Sequence, residues 1–258
     1  MEIIKIRDLN FSYGSGSAFR LYGVSLEVQE SEVIVLLGPN GCGKTTLLKC
    51  INALLKPQSG EVLLNGRNAL ELGRNELACM VGFVPQAHTP PFPFTVEEAV
   101  LMGRASHLSI FQQPSETDYS RTEEALNLLG LTSMRDRPYT EISGGERQLV
   151  LIARAIAQEP KALLLDEPTA HLDFKNQVVV LKTVNRIAKE RGLGVVMSLH
   201  DPNQASLFSD KVALMSEGRV VTIGKPSEVV TAENINRLYG MKSQVLDYDG
   251  RRLVLPEL

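Results

Sequence analysis

The residues Gly38-Pro39-Asn40-Gly41-Cys42-Gly43-Lys44-Thr45 constrain this chain more than any other feature. They follow the unbroken aliphatic run Val33–Leu37 and lead into a helix-forming stretch over 46–54. Strand, glycine-rich loop and helix in that order match G-x-x-x-x-G-K-[ST] in the context that gives the motif its meaning. Glycines let backbone N–H groups close around phosphate oxygens, and the following helix points the positive end of its dipole there. Lys44 is placed to reach β- and γ-phosphates, Thr45 offers a hydroxyl to Mg²⁺, and Thr46 completes the phosphate-binding set.

A second aliphatic run, Ala162–Leu165, reads as a strand buried on both faces and ends in Asp166-Glu167. Adjacent carboxylates at the end of a buried strand are costly unless they are used. Asp166 is placed to hold the Mg²⁺ shell, and Glu167 to accept a proton from water attacking a γ-phosphate. A helix over 175–191 separates this strand from another buried run at 195–199, the βαβ pattern of a parallel sheet. Shorter strand patterns at 3–6, 24–28, 61–64 and 81–84 make the first third strand-rich. The middle is helical: one stretch runs from Glu116 to Gly130, and Leu149, Ile152, Ala153 and Ile156 share one helix face. Prolines at 90–93 and in Gln113-Pro114-Ser115 mark boundaries or hinge loops. The segment 227–258 reads as short helix and a closing strand pattern over 245–255 that completes the fold.

With 43% hydrophobic and 22% charged residues over 258 positions, disordered and fibrous classes are excluded. A net charge of −3 gives nucleic acid no electrostatic footprint, so none is expected as a partner. Cys42, Cys50 and Cys79 form neither a disulfide framework nor a zinc spacing and are expected as small buried thiols in a reducing compartment, Cys42 filling a loop position. The N-terminus lacks the apolar core of a secretory signal, and the best apolar run, 149–157, is interrupted by Arg154. The expectation is a soluble chain, or one held at a membrane only through partners.

Ser143-Gly144-Gly145-Glu146-Arg147 adds the third motif, at the start of a helix over 146–158 whose N-terminus suits a second anion. With these three motifs the chain resembles, over nearly its whole length, the ATP-binding subunits of ABC transporters. The resemblance implies an α/β fold of the P-loop NTPase ABC ATPase type: a mixed-sheet core with an N-terminal antiparallel β subdomain and an inserted α-helical subdomain. The core is expected at 1–86 and 159–258 and the helical insert at 87–158. It further implies ATP and Mg²⁺ as ligands, and two copies paired head to tail so that Ser143, Gly144, Gly145 and Asp173 of one complete the site of the other. By resemblance, Tyr13 stacks on adenine, Gln86 touches Mg²⁺ and water, and His200 contacts the γ-phosphate and orients Glu167. His88, His107 and His171 take no catalytic role. Glu146 stands for the more usual glutamine, Ile142 for leucine and Cys42 for serine or alanine; none removes a group needed for hydrolysis, so a competent ATPase is expected.

The runs 94–104, 169–173 and 200–205 look like those of subunits that import iron chelates, haem or cobalamin, with molybdate and tungstate importers similar. Such a subunit docks integral-membrane permease subunits, here through 91–102, on the cytoplasmic face of the membrane, and depends indirectly on an external substrate-binding protein. A soluble ABC ATPase of iron–sulfur assembly or nucleic-acid maintenance is the alternative. No heptad insertion and no second cassette are present, which counts against DNA-repair and translation types but leaves the iron–sulfur type open. P-loop kinases lack the Ser-Gly-Gly signature, and no N-K-x-D-like base reader supports a GTPase.

Overall fold

Period-two burial sets the first layer of the computed structural model, which describes residues 1–14, 19–86, 94–109 and 111–257. Strand β1 (Glu2–Ser12) pairs antiparallel with β2 (Arg20–Gln29), where Val24, Leu26 and Val28 turn inward while Ser25 and Glu27 face water. The strand β3 (Val33–Leu37) is different in kind, buried along its whole length. After the phosphate loop come α1 (Lys44–Ile51), β4 (Ser59–Leu64), β5 (Arg67–Asn68), α2 (Arg74–Met80) and β6 (Val81–Val84). The helical middle holds α3 (Val96–Leu101), a tight turn at Met102–His107, α4 (Glu116–Leu128) and α5 (Gly144–Ala157). Then follow β7 (Ala162–Leu165), α6 (Phe174–Arg191), β8 (Gly194–Leu199), α7 (Pro202–Leu207), β9 (Lys211–Ser216) and β10 (Arg219–Gly224). The C-terminal segment is α8 (Pro226–Val229), α9 (Ala232–Tyr239) and the hairpin β11 (Ser243–Tyr248) with β12 (Arg251–Pro256).

The main sheet has the order β10-β9-β3-β8-β7-β6, parallel except for the edge strand β10. The antiparallel sheet has the order β2-β1-β4-β5. Side-chain alternation along β3 separates two cores. Val33, Val35 and Leu37 join the helical side with Val150, Ile152 and Leu181, and Ile34 and Leu36 join α1 and the antiparallel sheet. Each such buried aliphatic side chain contributes about 1.5–3 kcal/mol.

One buried ionic cluster ties the helical layer to the end of α5. Arg104 is almost fully buried; its Nε donates to Asp118 Oδ1 at 3.0 Å, and its Nη1 donates to Ala157 O at 2.6 Å and Glu159 Oε2 at 3.0 Å. Asp118 also accepts from the Ser115 hydroxyl and backbone N–H, and these bonds with Arg104 hold its carboxyl down to about 2. Beside Arg104, a Cβ on Gly103 would lie 2.1 Å from Arg154 O, so the approach to α5 admits only glycine.

Several sequence expectations shift. Helix α1 opens at Lys44 rather than 46, because Gly43 at φ 112° serves as its N-cap. β1 and β2 run well past 3–6 and 24–28. β9 and β10, over 211–224, have no counterpart among the expected strands, and the single closing strand is a hairpin turning at Asp249-Gly250. Cys42 and Cys50 are buried, and burial pushes the Cys50 thiol up to about 12; Cys79 is instead partly exposed, its sulfur 3.7 Å from His107 Nε2 and 3.8 Å from Ser106 Oγ. The boundary at Gln113-Pro114-Ser115 precedes α4, whereas prolines 90–93, His88 and the start of the expected docking run lie outside the described residues. Among the described residues no helix is long and apolar enough to cross a membrane.

Candidate functional site

β3 delivers the phosphate loop to the edge of the sheet, and two glycines there leave no room for a side chain. A Cβ on Gly38 would lie 2.2 Å from Met215 O, and one on Gly43 would lie 2.7 Å from Leu21 Cδ2. Gly41 and Gly43 both take positive φ, 78° and 112°. No side chain caps the N-terminus of α1, so its first N–H groups are left for an anion. Lys44 is buried, its Nζ donating to Gly38 O at 2.6 Å and Pro39 O at 3.1 Å. A hollow of about 160 Å³ opens above, lined by Tyr13, Asn40, Gly41, Gly43, Lys44, Thr45, Thr46 and Glu167. At its rim Tyr13 is 57% exposed; its hydroxyl lies 3.1 Å from Thr46 Oγ1 and its ring stands edge-on to Phe11 at 4.9 Å. Behind the loop, Gly218 N–H donates to Cys42 O at 3.0 Å while Gly218 O accepts from Tyr22 N–H at 2.9 Å, so the β9–β10 turn braces the loop against β2. Burial raises the Cys42 thiol, which stays protonated and fills space beside Lys44.

β7 and β8 carry the second group. Thr45 donates to Asp166 Oδ1 at 2.9 Å, bringing loop hydroxyl and strand-end carboxylate together as hard oxygen donors suited to Mg²⁺. Glu167 adopts φ 49°, a left-handed conformation that costs about 1–2 kcal/mol for a side-chain-bearing residue. Its backbone N–H donates to Ser198 Oγ at 2.8 Å, which offsets that cost and turns the carboxylate outward from the strand. The carboxylate is gripped from both sides: Gln86 Nε2 donates to Oε2 at 2.6 Å, and His200 Nε2 lies 2.5 Å from Oε1. Lys44, Thr45, Gln86, Asp166, Glu167 and His200 are thus brought together around the phosphate loop. An oriented carboxylate beside a phosphate-sized loop can accept a proton from an attacking water.

Ser143, Gly144, Gly145 and Asp173 form a separate cluster. Ser143 and Glu146 make a reciprocal capping box, Ser143 N–H to Glu146 Oε2 at 2.7 Å and Glu146 N–H to Ser143 Oγ at 3.3 Å. Hydrogen bonds from the Ser143 hydroxyl and backbone N–H to its carboxylate lower the Glu146 carboxyl. Asp173 caps α6 through Asn176 N–H at 2.8 Å. Asn176 also occupies the space a Cβ on Gly145 would need, 2.6 Å from its Cγ, so the two helix starts are locked together. A hydrogen-bonded chain from Thr169 through Gln204 and Gln177 to Leu172 O ties this cluster back to the Glu167 loop.

Ser198 is the principal residue the sequence reading did not single out. Its hydroxyl donates to Asp166 Oδ1 at 2.9 Å and accepts from Glu167, joining both carboxylate residues. The signal was present: it is the one polar side chain in the buried run Gly194–Leu199.

Comparison with known proteins completes the picture. Residues 21–170 match the model of the ABC transporter family. An uncharacterized ABC transporter ATP-binding protein of Methanocaldococcus jannaschii is 40% identical over 99% of this chain and 98% of its own. The ferric enterobactin transport ATP-binding protein of Escherichia coli K12 is 34% identical over 99% of this chain and 95% of its own. Among solved structures, a chain described as a metal-chelate type ABC transporter in an inward-facing conformation superposes with TM-score 0.87 at 32% identity, covering 100% of this chain and 98% of that one. A dimeric ATP-binding cassette bound to ADP and Pi superposes at 0.74 with 29% identity, covering 87% and 99%. The fold is that of these ABC ATPases, and the chain belongs to the ABC transporter family as one of its ATP-binding, ATP-hydrolysing proteins.

Proposed function

We propose that this chain powers an importer of iron chelates, haem or a related metal compound, working as a head-to-tail pair on the cytoplasmic face of a membrane beneath permease subunits. The observation that carries the hydrolytic part is the Glu167 carboxylate held between Gln86 and His200 beside the phosphate loop. The cargo class rests on the relatives named for ferric enterobactin and metal-chelate transport, which also favour a transporter over the soluble alternative.

In this reading Lys44 exchanges the carbonyls of Gly38 and Pro39 for phosphate oxygens, and the first N–H groups of α1, with Asn40, Gly41, Gly43 and Thr46, close on the rest. Tyr13 supplies a π surface for the base. Mg²⁺, held by Thr45, Asp166 and the Gln86 amide oxygen, supplies charge neutralisation between phosphates when bound. Glu167 takes the proton of the attacking water, with His200 fixing its direction. Ser143, Gly144, Gly145 and Asp173 act on the partner copy's nucleotide, for which the dimeric cassette with ADP and Pi gives support. Residues 1–86 and 159–258 form the nucleotide core in this scheme, and 87–158 the insert that meets the permease, with a substrate-binding protein on the far side of the membrane.

The test is mass-spectrometric identification of proteins that co-purify with the tagged chain from detergent-solubilised native membranes in ATP-depleting buffer. A polytopic permease encoded with a metal-chelate binding protein is the expected result. Recovery of soluble partners alone would move the same ATPase to assembly work.

A further inference from the structure

His200 is reached from the C-terminal end of the chain, beyond the residues that match the family model. Tyr239, the last residue of α9, donates its hydroxyl to His200 O at 3.0 Å. Gly240, at φ 66°, ends the helix there, so the ring cannot follow a longer helix away from the site. The next turn of the His200 segment is held by the same C-terminal unit. The Asn203 side chain accepts from Val254 N–H at 2.7 Å and donates to Val254 O at 3.2 Å, so one amide clasps the β12 main chain against α7. Ser206 Oγ accepts from Arg252 N–H at 3.1 Å, and Ser243 donates to Asn236 Oδ1 at 2.7 Å, which binds the hairpin to α9. The imidazole that meets Glu167 at 2.5 Å thus springs from a backbone pinned on its outer side by residues far downstream. Burial raises the Tyr239 phenol, so it remains a donor throughout the physiological pH range.

The geometry points to Tyr239 as a positioning residue for hydrolysis, which holds the His200 main chain so that the imidazole stays in register with Glu167. This rests on the roles given above to Glu167 and His200. The hydroxyl bonds to the His200 main chain and does not line the hollow at the phosphate loop, so its loss acts on turnover and spares binding. Asn203 shares the task one turn later.

The experiment uses the full chain and compares Tyr239→Phe, Asn203→Ala and His200→Ala by single-turnover ATP hydrolysis, nucleotide titration and thermal melting. One hydrogen bond's worth of positioning predicts turnover about two- to tenfold lower in Tyr239→Phe, with ATP affinity kept and the melting temperature lowered by no more than about 2–4 °C. Asn203→Ala lowers turnover in the same sense. In the His200→Ala background, adding Tyr239→Phe removes nothing further from the residual rate. Wild-type turnover in Tyr239→Phe, an equal loss in both backgrounds, or a parallel loss of ATP affinity overturns the positioning role while leaving the hydrolytic reading intact. Full turnover in His200→Ala alone overturns that reading itself, and the role of Tyr239 with it.

Discussion

Ser198 donates its hydroxyl to Asp166 Oδ1 at 2.9 Å from within a strand whose other side chains are apolar. The Ser198 Oγ in turn accepts the Glu167 N–H at 2.8 Å. Ser198→Ala removes both bonds at once and leaves a main-chain donor without its partner beside a positive-φ residue. A destabilisation of about 1–3 kcal/mol is expected, together with a fall in turnover, since Asp166 then keeps only Thr45 on that oxygen and the Glu167 main chain loses its anchor. Urea unfolding and steady-state hydrolysis check this; a variant equal to wild type in both would remove Ser198 from the site.

Glu167→Gln keeps the shape of the side chain but not its basicity. ATP titration should be unchanged, while hydrolysis falls about 10²- to 10⁴-fold, the range for loss of a general base. Rapid turnover by this variant would mean that another group takes the proton.

Gly218 and Gly66 have nearly the same backbone, φ 76° and 79°, in different surroundings. A Cβ on Gly66 meets nothing within 4 Å, whereas one on Gly218 would lie 1.8 Å from Arg20 O. Gly66→Ala should cost only the left-handed penalty, about 1 kcal/mol, and leave nucleotide affinity alone. Gly218→Ala should cost more and weaken ATP binding, because the turn that braces Cys42 O must move. Paired titrations and melts of the two variants separate strain from displacement.

The Asp118 carboxyl, lowered from 3.8 to about 2, gives stability that is fully present above its unfolded value and lost as pH falls through the folded one. The difference in unfolding free energy between wild type and Asp118→Asn should be constant above about pH 4 and shrink by about 2 kcal/mol toward pH 2. A gap that widens on acidification would place the origin of Asp118's contribution elsewhere.

Local signals were read well from sequence and long-range ones were not. The phosphate loop and Asp166-Glu167 each carry their chemistry within a few residues, so spacing pointed to them, while Ser143-Gly144-Gly145 took its meaning from resemblance to a family signature. Strand β9 escaped because its Val212–Met215 core has no motif at its end and takes its meaning from pairing with β3, far away in the chain. The C-terminal hairpin was read as one strand although Asp249-Gly250, both at positive φ, is a recognised two-residue turn signal. Cys79 was misjudged because its exposure depends on how the Met102–His107 turn meets α2, which no local pattern encodes. The grip of Tyr239 on His200 joins residues 39 positions apart through a main-chain oxygen and leaves no trace in residue type.

The clamp around Gly103 and Arg104 makes α5 a lever. Its 14 residues span about 21 Å, with the carboxyl end seated against the helical layer and the amino end at Ser143, where Asn176 of α6 packs against Gly145. A tilt of about 5° at the seat would carry Ser143 by about 2 Å, the difference between a hydrogen bond and none. Any small angular change at the Arg104 seat is thereby enlarged along the helix into a displacement of Ser143, and of Asn176 packed beside Gly145.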